Sequence, residues 1–136
     1  VVCPAGLYHV RAEIGLLEQV LINLVLNARD AILTRREHHP ESGRDDYIEL
    51  STQPLADGRV QISVADTGGG VPEALLARIF EPFFTTKPAG KGTGLGLYVS
   101  YGLIKEQGGD LTAANRPEGG ASFTIRLPLD TSNGRG

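Results

Sequence analysis

GLLEQVLINLVLNARDAILT, residues 15–34, decides how the rest of the chain is read. No proline interrupts it, and Leu17, Val20, Leu21, Leu24, Val25, Ala28 and Ile32 recur at three- and four-residue intervals. That is the period of a helix laying one face on a core, and it predicts a buried helix over Gly15 to Thr34. Four residues do not belong in such a helix: Gln19, Asn23, Asn27 and Asp30. At about 100° per residue they form one narrow stripe. A carboxamide withdrawn from water without a partner costs roughly 1–3 kcal/mol, so two in line beside a carboxylate point to a lined site facing a ligand. Carboxamide oxygens are hard neutral donors, suited to a magnesium ion that keeps its waters and shares substrate phosphates.

Bulk properties bound the setting. At 136 residues the chain is expected to make one domain, over 1–130, followed by a polar tail over 131–136. A net charge of -3 leaves no footprint for nucleic acid or an acidic membrane. One cysteine, Cys3, makes no internal disulfide. No run reaches the ~20 apolar residues of a membrane span and no signal peptide opens the chain, so a cytoplasmic setting is expected. The 18 glycines, bunched at 68–70, 90–96, 108–109 and 119–120, mark where backbone bends or lets something approach.

Working outward, Leu7 to Val10 reads as a short strand before the helix, and Arg35 to Asp46 as a polar surface loop. Within that loop His38 and His39 are better read as solvated than as metal ligands, because adjacent residues rarely point at one ion. Tyr47 to Gln53 and Arg59 to Ala65 alternate polar and apolar around Asp57-Gly58, a hairpin signal. The second strand runs into Asp66-Thr67-Gly68-Gly69-Gly70-Val71-Pro72. Three glycines exceed what a turn needs and would let backbone close on a flat ligand, while the Asp66 carboxylate would accept from an exocyclic amine. A short helix is expected from Glu73 to Arg78, with Pro72 at its start.

Ile79-Phe80-Glu81-Pro82-Phe83-Phe84-Thr85-Thr86-Lys87 follows. Phe80 and Phe83 read as hydrophobic anchors, while Lys87 and Lys91, beside glycine hinges, read as a lid closing over phosphate. Gly92-Thr93-Gly94-Leu95-Gly96-Leu97 opens a helix, Leu97 to Glu106, with Val99, Leu103 and Ile104 expected on its core face. Free N–H groups at a glycine-rich helix start make an anion site. This is not the dinucleotide fingerprint, whose sixth position is glycine where Leu97 stands, nor a P-loop, since Gly92 follows Lys91. Gly108-Gly109 ends the helix, and Leu111 to Ala114 and Ala121 to Leu127 pair across Arg116-Pro117-Glu118-Gly119-Gly120.

In order and spacing, NLVLNARDA, DTGGGVP, FEPFF and GTGLGL resemble the N box, first glycine box, F box and second glycine box of the ATP-binding catalytic domain of sensor histidine kinases. FEPFFTTK and GTGLGLYVSYG are most similar to the nitrogen-regulation and dicarboxylate-sensing branch. The resemblance covers nearly the whole chain. It implies the GHKL ATPase (Bergerat) fold: an α+β two-layer sandwich, with a mixed, largely antiparallel sheet packed on helices and a mobile ATP lid.

Carried over by position, the resemblance makes Asn27 the magnesium ligand and Asn23 its neighbour orienting metal or water. Asp66 takes the adenine amine, with Gly68 and Gly70 as the wall beside the base, and Thr124 reaches adenine through water. Gly92, Thr93, Gly94, Leu95 and Gly96 serve the phosphates. Where many members carry lysine and tyrosine after the N box, this chain has Asp30 and Ala31, which raises the weight on Lys87 as phosphate cation. Gly69 stands where a larger residue is common, implying a looser wall. The implied activity is transfer of the ATP γ-phosphate to a histidine on a separate dimerisation domain, with a response regulator downstream. His9, His38 and His39 lie in no phosphoacceptor context, so this chain reads as a catalytic fragment. Two rivals stay open: an ATPase of the gyrase, chaperone or mismatch-repair type, which uses a glutamate base where Asn23 stands, and a degenerate domain that only senses nucleotide.

Overall fold

The computed structural model describes residues 13–40, 45–84 and 95–128. The strand expected over Leu7 to Val10, the lid lysines Lys87 and Lys91, the glycine-box residues Gly92, Thr93 and Gly94, and the C-terminal tail all lie outside the described residues.

Helix α1 runs over Ile14–His38, so the expected loop at Arg35 begins one turn too early. Arg35, Arg36 and His38 suit a last turn because their charge or ring N–H complements the free carbonyls there. His38 Nδ1 lies 2.9 Å from the Thr34 carbonyl. Val20, Leu24, Ala28 and Ile32 are the buried face, each large aliphatic side chain among them contributing about 1.5–3 kcal/mol on leaving water. The outer face departs from expectation: Ile22, Leu26 and Leu33 are 53%, 42% and 47% exposed, so among the described residues nothing fully covers that side of the helix.

Strands β1 (Ile48–Pro54) and β2 (Arg59–Asp66) form the expected hairpin. After β2 the short helix is a single 3-10 turn, Glu73–Leu75. Helix α2 covers Gly96–Glu106, then β3 (Asp110–Asn115) and β4 (Ala121–Pro128) close the sheet. Strand order is β1-β2-β4-β3, and all three described pairings are antiparallel. In β4 the alternation is complete, with Ala121, Phe123, Ile125 and Leu127 buried. They meet Val20, Leu24 and Ala28 of α1 and Ile104 of α2 in one core. The architecture is the expected two-layer α+β sandwich, a sheet with both helices packed on it.

Two apolar assignments change. Val99 is exposed, and the buried positions of α2 are Ser100 and Ile104. Phe83 is 72% exposed at a positive φ of 66°, a left-handed turn that swings its ring outward. Anchoring falls to Phe80, whose ring lies 5.3 Å from Tyr101 and edge-on to Phe123 at 6.4 Å, and to Phe84, packed on the core with the Arg78 guanidinium 5.3 Å from its ring.

Candidate functional site

Period-two alternation carries Asp66 to the helix-facing side of β2, in line with Val60 and Val64. The residue is 1% exposed. Oδ1 accepts the Gly68 N–H at 2.8 Å and the Ala121 N–H at 3.4 Å, and among the described residues no hydrogen bond falls on Oδ2. Burial pushes the carboxyl pKa up, opposed by those two N–H groups and by the Arg116 charge. A buried carboxylate with one oxygen committed to backbone is an acceptor whose direction is set in advance.

The glycines after it are not equivalent. A Cβ at Gly68 would stand 2.7 Å from the Cβ of Ala31, so this loop lies directly against α1, one turn beyond Asn27. The missing side chain of Gly68 is what permits that approach, since a Cβ there would also meet the Ala31 main-chain carbon and oxygen. Gly70 has φ +78° and faces the Asn115 carboxamide, whereas Gly69 is exposed with nothing near its missing side chain.

On α1 the polar stripe grades from exposed Gln19 to half-buried Asn23, Asn27 and Asp30. Asn23 Nδ2 donates to Ser100 Oγ at 3.2 Å, tying the stripe to α2 through a hydroxyl buried in the interface. Asp30 pairs with Arg29 at 3.1 Å. Asn27 makes no side-chain hydrogen bond among the described residues, leaving a half-buried amide free on the flank that the glycine loop approaches. No group of three or more His, Cys, Asp or Glu among the described residues could hold a metal by itself. A magnesium ion that keeps its waters and uses phosphate oxygens needs only one or two protein donors, and the Asn27 oxygen fits that role. At the start of α2, Leu95 is half-buried and Gly96 exposed.

Thr124 is a correction. Its position in β4 alternates with the buried residues, and it pairs with Ser63 and Thr112 on the sheet face turned away from the helices. Its hydroxyl lies 3.4 Å from Ser63 Oγ. The residue of β4 that meets the Asp66 carboxyl is Ala121, so Thr124 is on the wrong side of the sheet to reach a base held by Asp66.

Three residues not singled out in the sequence build the site from behind. Asn115 closes the first glycine box like a strand partner, accepting from Val71 N–H at 2.7 Å and donating to the Val71 carbonyl. Arg116 donates to the Asp66 carbonyl at 2.7 Å. Ser100 holds Asn23. No local pattern marks any of them, since each acts across more than forty residues of chain.

The Histidine kinase-, DNA gyrase B-, and HSP90-like ATPase family matches residues 12–131. Two-component sensor PprA of Pseudomonas aeruginosa is 50% identical over 129 residues, 93% of this chain and 13% of that protein. Sensor histidine kinase ZraS of Klebsiella oxytoca is 40% identical over 125 residues, 92% of this chain and 24% of that protein. The chain thus spans less than a third of either relative. Among solved structures, full-length ShkA in complex with AMPPNP superposes with a TM-score of 0.77 at 32% identity, covering 96% of this chain and 25% of that one. The nucleotide-free catalytic domain of histidine kinase ThkA gives 0.67 at 36%, covering 86% and 69%.

Proposed function

Because this chain belongs to the histidine kinase-, DNA gyrase B- and HSP90-like ATPase family, we propose that it is the catalytic domain of a two-component sensor kinase, binding Mg-ATP and phosphorylating a histidine on a separate helical dimerisation domain. The observation that carries the reading is the approach of the Asp66 loop to α1 through Gly68 and Ala31. It sets a buried, pre-aimed carboxylate, Asp66, in a loop packed on the helix that carries Asn27, an amide with no side-chain hydrogen bond among the described residues.

In this reading Asp66 Oδ2 accepts from the adenine amine, with Gly68 and Gly70 walling the base. Magnesium would shield charge on the phosphate oxygens, and Asn27 would supply it with a protein oxygen. Asn23, held by Ser100, orients water beside it. The start of α2 with Gly92, Thr93, Gly94, Leu95 and Gly96 presents N–H groups to the phosphates, and Lys87 is the lid cation. Transfer forms a P–N bond to the acceptor imidazole as the P–O bond to the ADP leaving group breaks, chemistry that depends mainly on positioning and charge neutralisation. Asn23 also argues against the gyrase-type rival, since an amide takes no proton from water at working pH.

A response regulator is the downstream partner, and residues 1–130 act as one domain with a polar tail. FEPFFTTK and GTGLGLYVSYG support the finer placement in the nitrogen-regulation and dicarboxylate-sensing branch. No helix among the described residues is long and apolar enough to cross a membrane, which is consistent with a cytoplasmic catalytic portion. The test is to mix the chain with a separately made dimerisation hairpin of such a kinase and γ-labelled ATP. Acid-labile, base-stable label on the hairpin is expected; release of inorganic phosphate at the same rate without hairpin would overturn the reading.

A further inference from the structure

Arg116 sits in a polar surface turn, yet its side chain is only 11% exposed. Its guanidinium reaches three groups. Nη1 donates to the Asp66 backbone carbonyl at 2.7 Å, Nη2 donates to the Tyr47 hydroxyl at 2.9 Å, and Glu118 lies 3.3 Å from Nη2. The guanidinium also lies over the Tyr47 ring, 5.4 Å from its centre. Against the same carbonyl packs Gly120, where a Cβ would stand 1.9 Å from the Asp66 oxygen. The Asp66 main chain is therefore gripped by a cation and bare backbone, while Oδ1 is occupied by two N–H groups.

We propose that Arg116 is a positioning residue for base recognition: it holds the Asp66 main chain and places positive charge behind the carboxylate, so that Oδ2 stays aimed and ionised to accept from an exocyclic amine. The proposal rests on the assignment of Asp66 to adenine. Its consequence is specificity. An ionised carboxyl accepts from a 6-amino purine and repels a 6-oxo purine, whereas a protonated one donates to the 6-oxo group and loses the distinction. The other titratable groups nearby are arranged around this pair. Glu118 and Tyr47 contact Arg116 itself, Asp46 with Arg35 stands behind Thr67, and Glu73 is reached through Asn115. Burial pushes the Asp66 pKa up, the Gly68 and Ala121 N–H groups oppose it, and of the charged groups Arg116 adds to that opposition.

The test compares ATP, inosine triphosphate and purine riboside triphosphate, which lacks the amine, by calorimetry at pH 6 and pH 8. The proteins are wild type, Arg116→Met, Arg116→Lys and Asp66→Asn. Charge-assisted hydrogen bonds of this kind carry about tenfold in affinity. Arg116→Met is expected to weaken ATP by about that factor, with a loss that grows as pH falls, because removing the charge favours the protonated form of Asp66. Purine riboside triphosphate should change little and the preference for ATP over inosine triphosphate should narrow. Arg116→Lys, which keeps the charge, should recover part of the ATP affinity at pH 6. Equal losses for ATP and purine riboside triphosphate at both pH values would overturn the proposal and leave Arg116 a structural residue. If Asp66→Asn itself leaves the ratio of those two ligands at the wild-type value, the Asp66 assignment fails first; if it shifts that ratio while Arg116→Met does not, only the role of Arg116 fails.

Discussion

Two hairpin turns close the same sheet at opposite ends, and they are put to different uses. The β1–β2 turn holds Gly58 at φ +84° in open space, and its charges, Asp57 and Arg59, pair with each other at 2.7 Å on the surface. The β3–β4 turn also uses positive-φ glycines, Gly119 and Gly120. Its polar residues, however, reach away from the turn to Asp66 and Val71. The first turn serves only to reverse the chain, so its chemistry is local. The second is part of the candidate site because antiparallel pairing of β2 with β4 brings Ala65 opposite Ser122, setting the turn beside the glycine loop.

Replacing the paired glycines should break this comparison most forcefully. Gly120→Ala would drive a methyl into the Asp66 carbonyl as well as straining φ, and should cost about 3 kcal/mol or more. Gly58→Ala meets nothing within 4 Å and should cost about 1–2 kcal/mol for its left-handed backbone alone. Urea midpoints that fall equally would show that the two turns are not different in kind. A smaller loss, about 2 kcal/mol, is expected for Asn115→Ala, which strands the polar backbone of Val71, and nucleotide affinity should fall with it; an unaltered affinity would separate the glycine box from its clasp.

Asn27→Ala should abolish the magnesium dependence of ATP binding while moving stability by no more than about 0.5 kcal/mol, since the side chain has no partner among the described residues. Calorimetry with and without the metal checks this, and an undiminished magnesium effect would remove Asn27 from the site. The mildest contrast lies in acid. Asp46, hydrogen-bonded by Arg36, Arg35 and the Thr67 hydroxyl at the site end of the sheet, has its pKa held down to about 2 from an ordinary 3.8, chiefly by Arg36. Its stabilising effect is therefore complete above the ordinary carboxylate value and is lost as pH falls through the folded-state value. Asp46→Asn should lower the urea midpoint at pH 6 and flatten its decline between about pH 4 and pH 2. Asp57→Asn, at an exposed pair, should leave the midpoint nearly unmoved.

The order of elements was readable because amphipathic period and strand alternation are properties of consecutive residues. Even the error at Thr124 had its signal in the chain, in the alternation of Phe123, Ile125 and Leu127 that puts position 124 on the other face. The amide stripe and the acid before the glycines could be singled out in the same way, since each breaks an apolar pattern where it stands.

What only the tertiary structure decided is which faces are covered and who stands behind the site. Ile22, Leu26 and Leu33 are as apolar as the buried face of α1, but the sheet covers just one side of that helix. Phe83 turns outward because one residue adopts a left-handed backbone. Arg116 and Asn115 look like an ordinary polar turn until strand pairing carries them to a loop some forty to fifty residues earlier. Local pattern is written by neighbours in sequence, whereas burial and charge proximity are set by neighbours in space, and those are chosen only when the sheet closes.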